Sequence, residues 1–518
     1  MVRRTSFAGT LLSIAALGVS AHQPRAAATS TCQSIAAAIS SASDVYYPLS
    51  INYIRDNAHW ASTSSQDSTC SVEPGSIEDV GKILQILGST STSFAVKGGG
   101  HSSNPGFSST SGVQIAMTRF NNVTYHADTQ TADIGTGIIW DDVYSALAPY
   151  NVNVVGGRVT GVGVAGFTLG GGTVPAVISG AIAASAAMLT IERVTLHLCG
   201  VTGYSWKTSQ HGLTIDTLEA FELVLPNGTV TTVASEDEDL FFALKGGFNN
   251  YGIVTKFTLK TFPQTQVWGG LVTITQEHLA QVNAAVANFS ANVSDPKAAI
   301  ISAYNFVLGA PGVSLLCFYD GPTYPDGIFD QLMAVPHFTK DISTRSFLSL
   351  VTSSPSNATA NTRTLFSSVS ILEYTPRLLD VIVNETKFWG QKLSLEASAS
   401  FISYDVEPFD AGLFSHGSGS AYPPDRTRGL LPLNIYFAWG LEIFDSTMYD
   451  AIVQSTKTIT AAAIADGQDI ADASIYGNYA LYDTPLENIY GGNVDRLKSI
   501  KQTFDPENIM GLAGGFKF

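Results

Sequence analysis

The pattern of apolar and polar positions changes character along the chain. From Ser76 to about Phe262, short apolar runs alternate with glycine turns and helix-like stretches. "SIEDVGKILQIL" (76–87) carries apolar positions at helical spacing, with Ser76 and Asp79 placed to cap its start. "SFAVKGGG" (93–100) reads as a short strand running into a glycine turn, and "TADIGTGIIWDDVYSALAPY" (131–150) as strand, turn and helix. "LEAFELVLPNGTVTTV" (218–233) predicts two strands around a Pro-Asn-Gly turn. From about 265 to 470 the texture differs: the alternation of "GGLVTIT" (269–275) and "LPLNIYFAWGLEIF" (431–444), separated by helical segments, predicts an antiparallel sheet in a second, α+β domain. The aromatic-rich tail after 470 ends in an amphipathic helix. One stretch fits neither pattern. Thr173 to Gly203, which includes Cys199, has little turn punctuation and interrupts a glycine-rich run.

At 518 residues the chain is too long for one ordinary core, which agrees with two domains. Its 27 basic and 43 acidic side chains give a net charge of −16, which argues against nucleic acid or an anionic membrane as partner. Residues 1–21 read as a secretion signal: two arginines, an apolar run shorter than the ~20 residues of a membrane span, then Val19-Ser20-Ala21. Asn-x-Ser/Thr sequons at Asn122, Asn227, Asn288, Asn292, Asn357 and Asn384 fit a secreted glycoprotein. In an oxidising compartment Cys32 and Cys70 are the expected disulfide, and Cys317 is expected to be a buried apolar residue.

The chemistry-bearing signals are sparse. Gly161, Gly163 and Gly166 match G-x-G-x-x-G, but more glycine follows and the expected acidic residue is missing from the alanine-rich stretch beyond. "GHSSN" lacks the second glycine of a nucleophile elbow, and the nine histidines show no metal-ligand pairing. What remains is a set of glycine loops at 98–100, 135–137, 156–157, 170–172 and 246–247. Such loops are either plain turns or nests of backbone N–H groups suited to the pyrophosphate of an elongated dinucleotide.

Taken together, "VKGGGHSSNPGF", "IGTGIIWDDVY", "GVGVAGFTLGGG", "LKGGFNNYGIVTKFTLKTFP" and the tail from "YGNYALY" to "FDPENIM" resemble a berberine-bridge-enzyme-like flavoprotein. That family lies within the vanillyl-alcohol-oxidase superfamily. The resemblance implies an α+β chain: a PCMH-type FAD-binding domain of two α/β subdomains, and a substrate domain whose antiparallel sheet is covered by helices. The segments would be 22–75 and 76–264 for the FAD domain, 265–470 for the substrate domain and 471–518 returning to the FAD domain. Gly98, Gly99, Gly100, His101 and Ser102 match the loop around the FAD pyrophosphate, and His101 the histidine bonded to the flavin 8α-methyl. Val159 stands where many members carry a second, cysteine bond, so a single bond is implied. Val162 falls on the oxygen-gatekeeper position. Gly163, Gly166, Gly172, Asn250, Gly252 and Ile253 match cofactor-lining positions.

Tyr476 and Asn478 would face the flavin. Tyr479 resembles the tyrosine base of carbohydrate oxidases, and Tyr436 falls where plant alkaloid enzymes hold a glutamate base. An ordinary tyrosine is a poor base at neutral pH, so either tyrosine needs a neighbouring cation or donor. The implied activity is hydride transfer from an alcohol, an oligosaccharide or small metabolite, to flavin N5 with O2 reduced to H2O2, by a secreted monomer. A dehydrogenase using another acceptor and a non-catalytic secreted flavoprotein are the alternatives. Removing 173–203 would restore the family pattern, so that stretch is either a surface loop or retained intron sequence.

Overall fold

The fold is taken from a computed structural model, which describes residues 22–170, 204–354, 360–417 and 419–518, with the backbone alone for 22–26. Residues 1–21, expected to be a secretion signal, Gly172, the stretch 173–203 with Cys199, and Asn357 lie outside the described residues.

The helix Ile77–Thr90 begins where its sequence predicts. The Ser76 side chain accepts from the Asp79 N–H at 3.2 Å. The Asp79 carboxylate does other work: it accepts from Ser40 N–H and from the Ser40 and Ser43 hydroxyls, fastening the chain after the helix His22–Ala38. Strand Phe94–Lys97 lies in a four-stranded sheet with Asp44–Tyr46, Cys70–Glu73 and Val113–Ala116, and it runs straight into the Gly98 loop. Cys32 and Cys70 are joined by a disulfide under this sheet, and Cys317 is buried. The predicted hairpin forms from Leu218–Val224 and Val230–Ala234 within a five-stranded antiparallel sheet, whose central strand is Ile253–Lys260.

The third large sheet has seven antiparallel strands, ordered 339–345, 267–275, 310–319, 298–307, 399–406, 431–439 and 363–371. Helices Pro376–Glu396 and Asp445–Ala465 pack on it, and Leu279–Asn292 packs against Pro376–Glu396. Alternation along the strands divides the two faces. Ile402, Tyr404 and Val406 lie on one face, and the Tyr404 hydroxyl meets Ser455 of the last helix. Phe401, Ser403 and Asp405 lie on the other, toward the first half of the chain. The tail returns to the first sheets through the helix Val494–Phe504, whose Lys501 donates to the Asn250 carbonyl. Among the described residues no helix is long and apolar enough to cross a membrane, and no group of three His, Cys, Asp or Glu is placed to hold a metal. Asn122, Asn227, Asn292 and Asn384 are exposed and Asn288 is half-buried.

Candidate active site

The loop that follows strand Phe94–Lys97 is clamped from three sides. Trp60 N–H donates to the Gly100 carbonyl at 3.1 Å, the Thr63 hydroxyl donates to Ser103 O and the Asn104 amide donates to Ala480 O. Beside this loop lies a cleft of about 740 Å³, mouth included, with Gly98, Gly99, Gly100, His101 and Ser102 along one wall. Gly166, Phe248, Asn249, Gly252, Ile253 and Gly515 close other walls. The glycines are structurally required at two places. Gly100 has φ +75°, and Gly252 has φ +143° with a Cβ position only 2.3 Å from the Val224 carbonyl oxygen. The result is a long cleft lined by backbone and apolar groups, the shape a dinucleotide needs.

His101 is fully buried in this wall and stacks on Trp60, with ring centroids 4.2 Å apart and planes 12° from parallel. Burial, with some help from nearby His59, pushes its pKa well below the ordinary histidine value, so the ring is neutral. Behind the loop, Lys97 donates to the Arg55 and Asp56 carbonyls, and burial brings its ammonium pKa down to about 8.

A second cavity, which shares Phe248 with the cleft, is lined by Phe167, Phe248, Tyr422, Tyr476 and Gly477. Against its Tyr476 packs Tyr479, a member of a fully buried polar chain. The Tyr479 hydroxyl donates to Glu407 Oε1 at 2.9 Å, and Arg158 Nη2 meets Glu407 Oε2 at 2.6 Å. The Arg158 carbonyl accepts from the Trp206 indole, and its guanidinium lies 5.3 Å from the Phe409 ring centre. Burial raises the Glu407 carboxyl above the ordinary carboxylate value, while Arg158 pulls it back. Tyr479 is raised well above the usual phenol value, first by burial and then by the Glu407 charge, with Arg158 opposing. The cation a tyrosine base requires is therefore present, but a carboxylate stands between the two and takes the hydrogen bond itself.

Of the sequence-predicted residues, Gly98 to Ser102, Gly166, Gly252 and Ile253 share the cleft. Asn250 does not line it. Its amide donates to Gly247 O and Phe516 O, and Asn249 is the residue at the wall. Val162 and Val159 are buried nearby, and Gly163 caps the short helix Val164–Leu169. Tyr476 packs edge-on against Tyr479 with centroids 5.3 Å apart and takes a short hydrogen bond from Asn478. Tyr436 lies in the seven-stranded sheet among Trp60, Phe366 and Phe401, one strand away from the carboxylate-bearing segment.

Arg158, Glu407 and Trp60 escaped sequence reasoning. A signal existed for one of them: in "FISYDVEPF" Asp405 and Glu407 share one face of an otherwise apolar strand, and an acid buried there has to be paired. Arg158 had none, because its partner is 249 residues away.

Comparison with known proteins agrees with this geometry. Residues 68–191 match the FAD binding domain family, and 475–512 match the berberine and berberine-like family. The FAD-dependent monooxygenase drtC of Aspergillus calidoustus is 28% identical over 489 residues, covering 90% of this chain and 86% of that protein. The fold superposes on BBE-like 1 of Physcomitrella patens with TM-score 0.69 at 19% identity, over 93% of this chain and 97% of that one. It also superposes on the carbohydrate oxidase of Microdochium nivale, solved with a substrate analogue, with TM-score 0.71 at 18% identity, over 94% and 99%. A glycine-walled cleft, family matches over 68–191 and 475–512 and a shared fold are what this chain has in common with the berberine-bridge-enzyme-like FAD-linked oxidoreductases.

Proposed function

We propose that the protein is a secreted, glycosylated, monomeric oxidase that removes a hydride from an alcohol carbon of an oligosaccharide or small secondary metabolite. The observation that carries this reading is the buried Tyr479–Glu407–Arg158 chain, whose Tyr479 packs against Tyr476 of the second cavity. The cleft fits FAD, which Gly98 to Ser102, Gly166, Gly252 and Ile253 would hold, with His101 as the covalent anchor. Bound there, FAD supplies a two-electron acceptor at flavin N5 that O2 re-oxidises, yielding H2O2.

The chain's own residues manage the proton. A substrate hydroxyl beside Tyr479 passes its proton to the phenol oxygen as the phenol proton moves to Glu407 Oε1. Tyr479 is thereby left neutral, and no tyrosinate accumulates. The raised Glu407 carboxylate is a stronger proton acceptor than an exposed one, and Arg158 keeps it ionised and oriented. Loss of C–H as hydride and O–H as proton converts the alcohol to a carbonyl.

The neutral His101 ring, held flat against Trp60, keeps a nitrogen lone pair for the flavin bond. Val159, with no thiol, fits a single attachment. Names such as carbohydrate oxidase and chitooligosaccharide oxidase among the structural neighbours support the alcohol substrate class.

The test is turnover with a panel of oligosaccharides and small alcohols, reading peroxide release and anaerobic flavin bleaching. Bleaching with stoichiometric peroxide is expected. Bleaching without peroxide points to another acceptor, and the absence of bleaching across the panel contradicts the enzymatic reading.

A further inference from the structure

Among the described residues that line the cleft there is no lysine or arginine, yet a dinucleotide brings a diphosphate with two negative charges into it. Burying such a dianion without nearby positive charge is costly. Lys97 stands behind Gly100, but Asp56 and Glu73 lie close to it and already offset its charge. A second ammonium stands behind a different wall.

The last residues of the chain are built into the cleft. Gly515 lines it, and Phe516 packs edge-on against both Phe107 and Phe248, which line it too. Asn250 fixes this tail by donating to Phe516 O and accepting from Phe518 N–H. Lys517 is half-buried, and its ammonium donates to Asn249 Oδ1 at 2.8 Å. That nitrogen is 4.0 Å from where a Cβ on Gly515 would stand. It is therefore one atom layer behind two lining residues.

The charges around it do not cancel. Lys501, on the helix Val494–Phe504, and Lys517 share one acid, Asp505, which is paired to Lys501 at 2.9 Å. Among the described residues no carboxylate lies within ion-pair distance of Lys517. Among these three side chains two ammoniums face one carboxylate.

We propose that Lys517 supplies the positive charge that holds the diphosphate of FAD, through the wall formed by Asn249 and Gly515. The inference rests on the FAD reading of the cleft. It also has a pH consequence. With the site empty of anion, burial and Lys501 lower the Lys517 ammonium to about 7, against Asp505. An adjoining dianion raises it again, so FAD binding takes up a proton near neutral pH. The gain in affinity is complete below pH 7 and is lost as pH rises through the higher value of the complex. Each pKa unit of that rise strengthens the hold on FAD about tenfold at low pH.

The experiment uses the full-length His101→Ala protein, freed of flavin, in which uptake is reversible. FAD and riboflavin, which lacks the diphosphate, are titrated by fluorescence quenching at pH 6 and pH 9. Adding Lys517→Met is expected to weaken FAD about tenfold at pH 6 and much less at pH 9, with riboflavin unchanged. Lys517→Gln, which can still donate to Asn249, is expected to lose the same FAD affinity. Lys517→Arg is expected to keep FAD tight through pH 9. Equal loss of FAD and riboflavin, or rescue by Lys517→Gln, would show Lys517 to be a mere clamp on Asn249 and overturn the proposal. Unchanged FAD affinity overturns it as well. If the His101→Ala parent takes up no FAD at all, the cleft reading beneath it fails.

Discussion

Replacing Glu407 with Gln separates two ways in which the buried tyrosine could work. The side chain keeps its length but loses its charge. Arg158, 2% exposed and held to Glu407 at 2.6 Å, is then a buried cation without its counter-ion. Breaking a buried pair from one side costs about 3–5 kcal/mol, so the thermal midpoint should fall clearly. A chain with three large sheets need not melt in one step, and the direction of the shift is the informative reading.

The catalytic consequence is sharper. If Glu407 is the final proton acceptor, flavin bleaching by substrate should slow by about 10²–10⁴-fold, the usual worth of a general base. Raising the pH should not restore it. If Tyr479 acted instead as a tyrosinate activated by Arg158, removing the Glu407 charge would lower the phenol pKa, since Glu407 now raises it and Arg158 lowers it. The substituted protein would then match or exceed the parent as pH rises. Anaerobic stopped-flow bleaching from pH 5 to pH 10 decides between them. A Glu407→Gln rate within about threefold of the parent at pH 7, or one recovering at high pH, would refute the carboxylate role.

Three further outcomes are expected. Asp405 is buried beside Glu407, and desolvation raises its carboxyl pKa to about 8. Its folded value lies above its unfolded one, so the stability it contributes is complete below about pH 4 and drains away as pH rises to about 8. Asp405→Asn should flatten that decline in pH-dependent melting, and an unchanged slope would assign it elsewhere. Trp60→Leu removes the ring against His101 and leaves a void beside Phe366; the fraction of flavin surviving acid precipitation should drop, while an unchanged fraction would deny Trp60 any part in placing His101. If 173–203 is retained intron sequence, the mature transcript lacks those codons; a message that contains them makes the stretch a real loop.

What the sequence disclosed and what it withheld follow from the range of the interactions. Elements encoded by neighbours a few residues apart were legible, such as the Ser76-capped helix, the hairpin around Asn227-Gly228 and the strand leading into Gly98. The cleft-lining glycines were legible through their motif. Asn250, matched to the cofactor loop, turns its amide to Gly247 and to Phe516 of the returning tail, a long-range contact that the loop motif does not disclose, while Asn249 lines the cleft. Asp79 read as a cap because its true partners, Ser40 and Ser43, belong to a segment docked from elsewhere. The buried Tyr479–Glu407–Arg158 chain was hidden most fully. Arg158, Glu407 and Tyr479 come from a loop, a strand end and the tail, and no local periodicity links them.

FAD is expected against the Gly98–Ser102 wall with His101 as its anchor, and one digest tests this directly. Trypsin cleaves after Lys97 and Arg119, releasing 98–119 as a single peptide that contains His101. Mass spectrometry of the denatured, digested protein should find that peptide carrying the flavin, and His101→Ala should abolish the adduct. A yellow protein whose 98–119 peptide is unmodified, with all its flavin in the acid supernatant, would contradict the account.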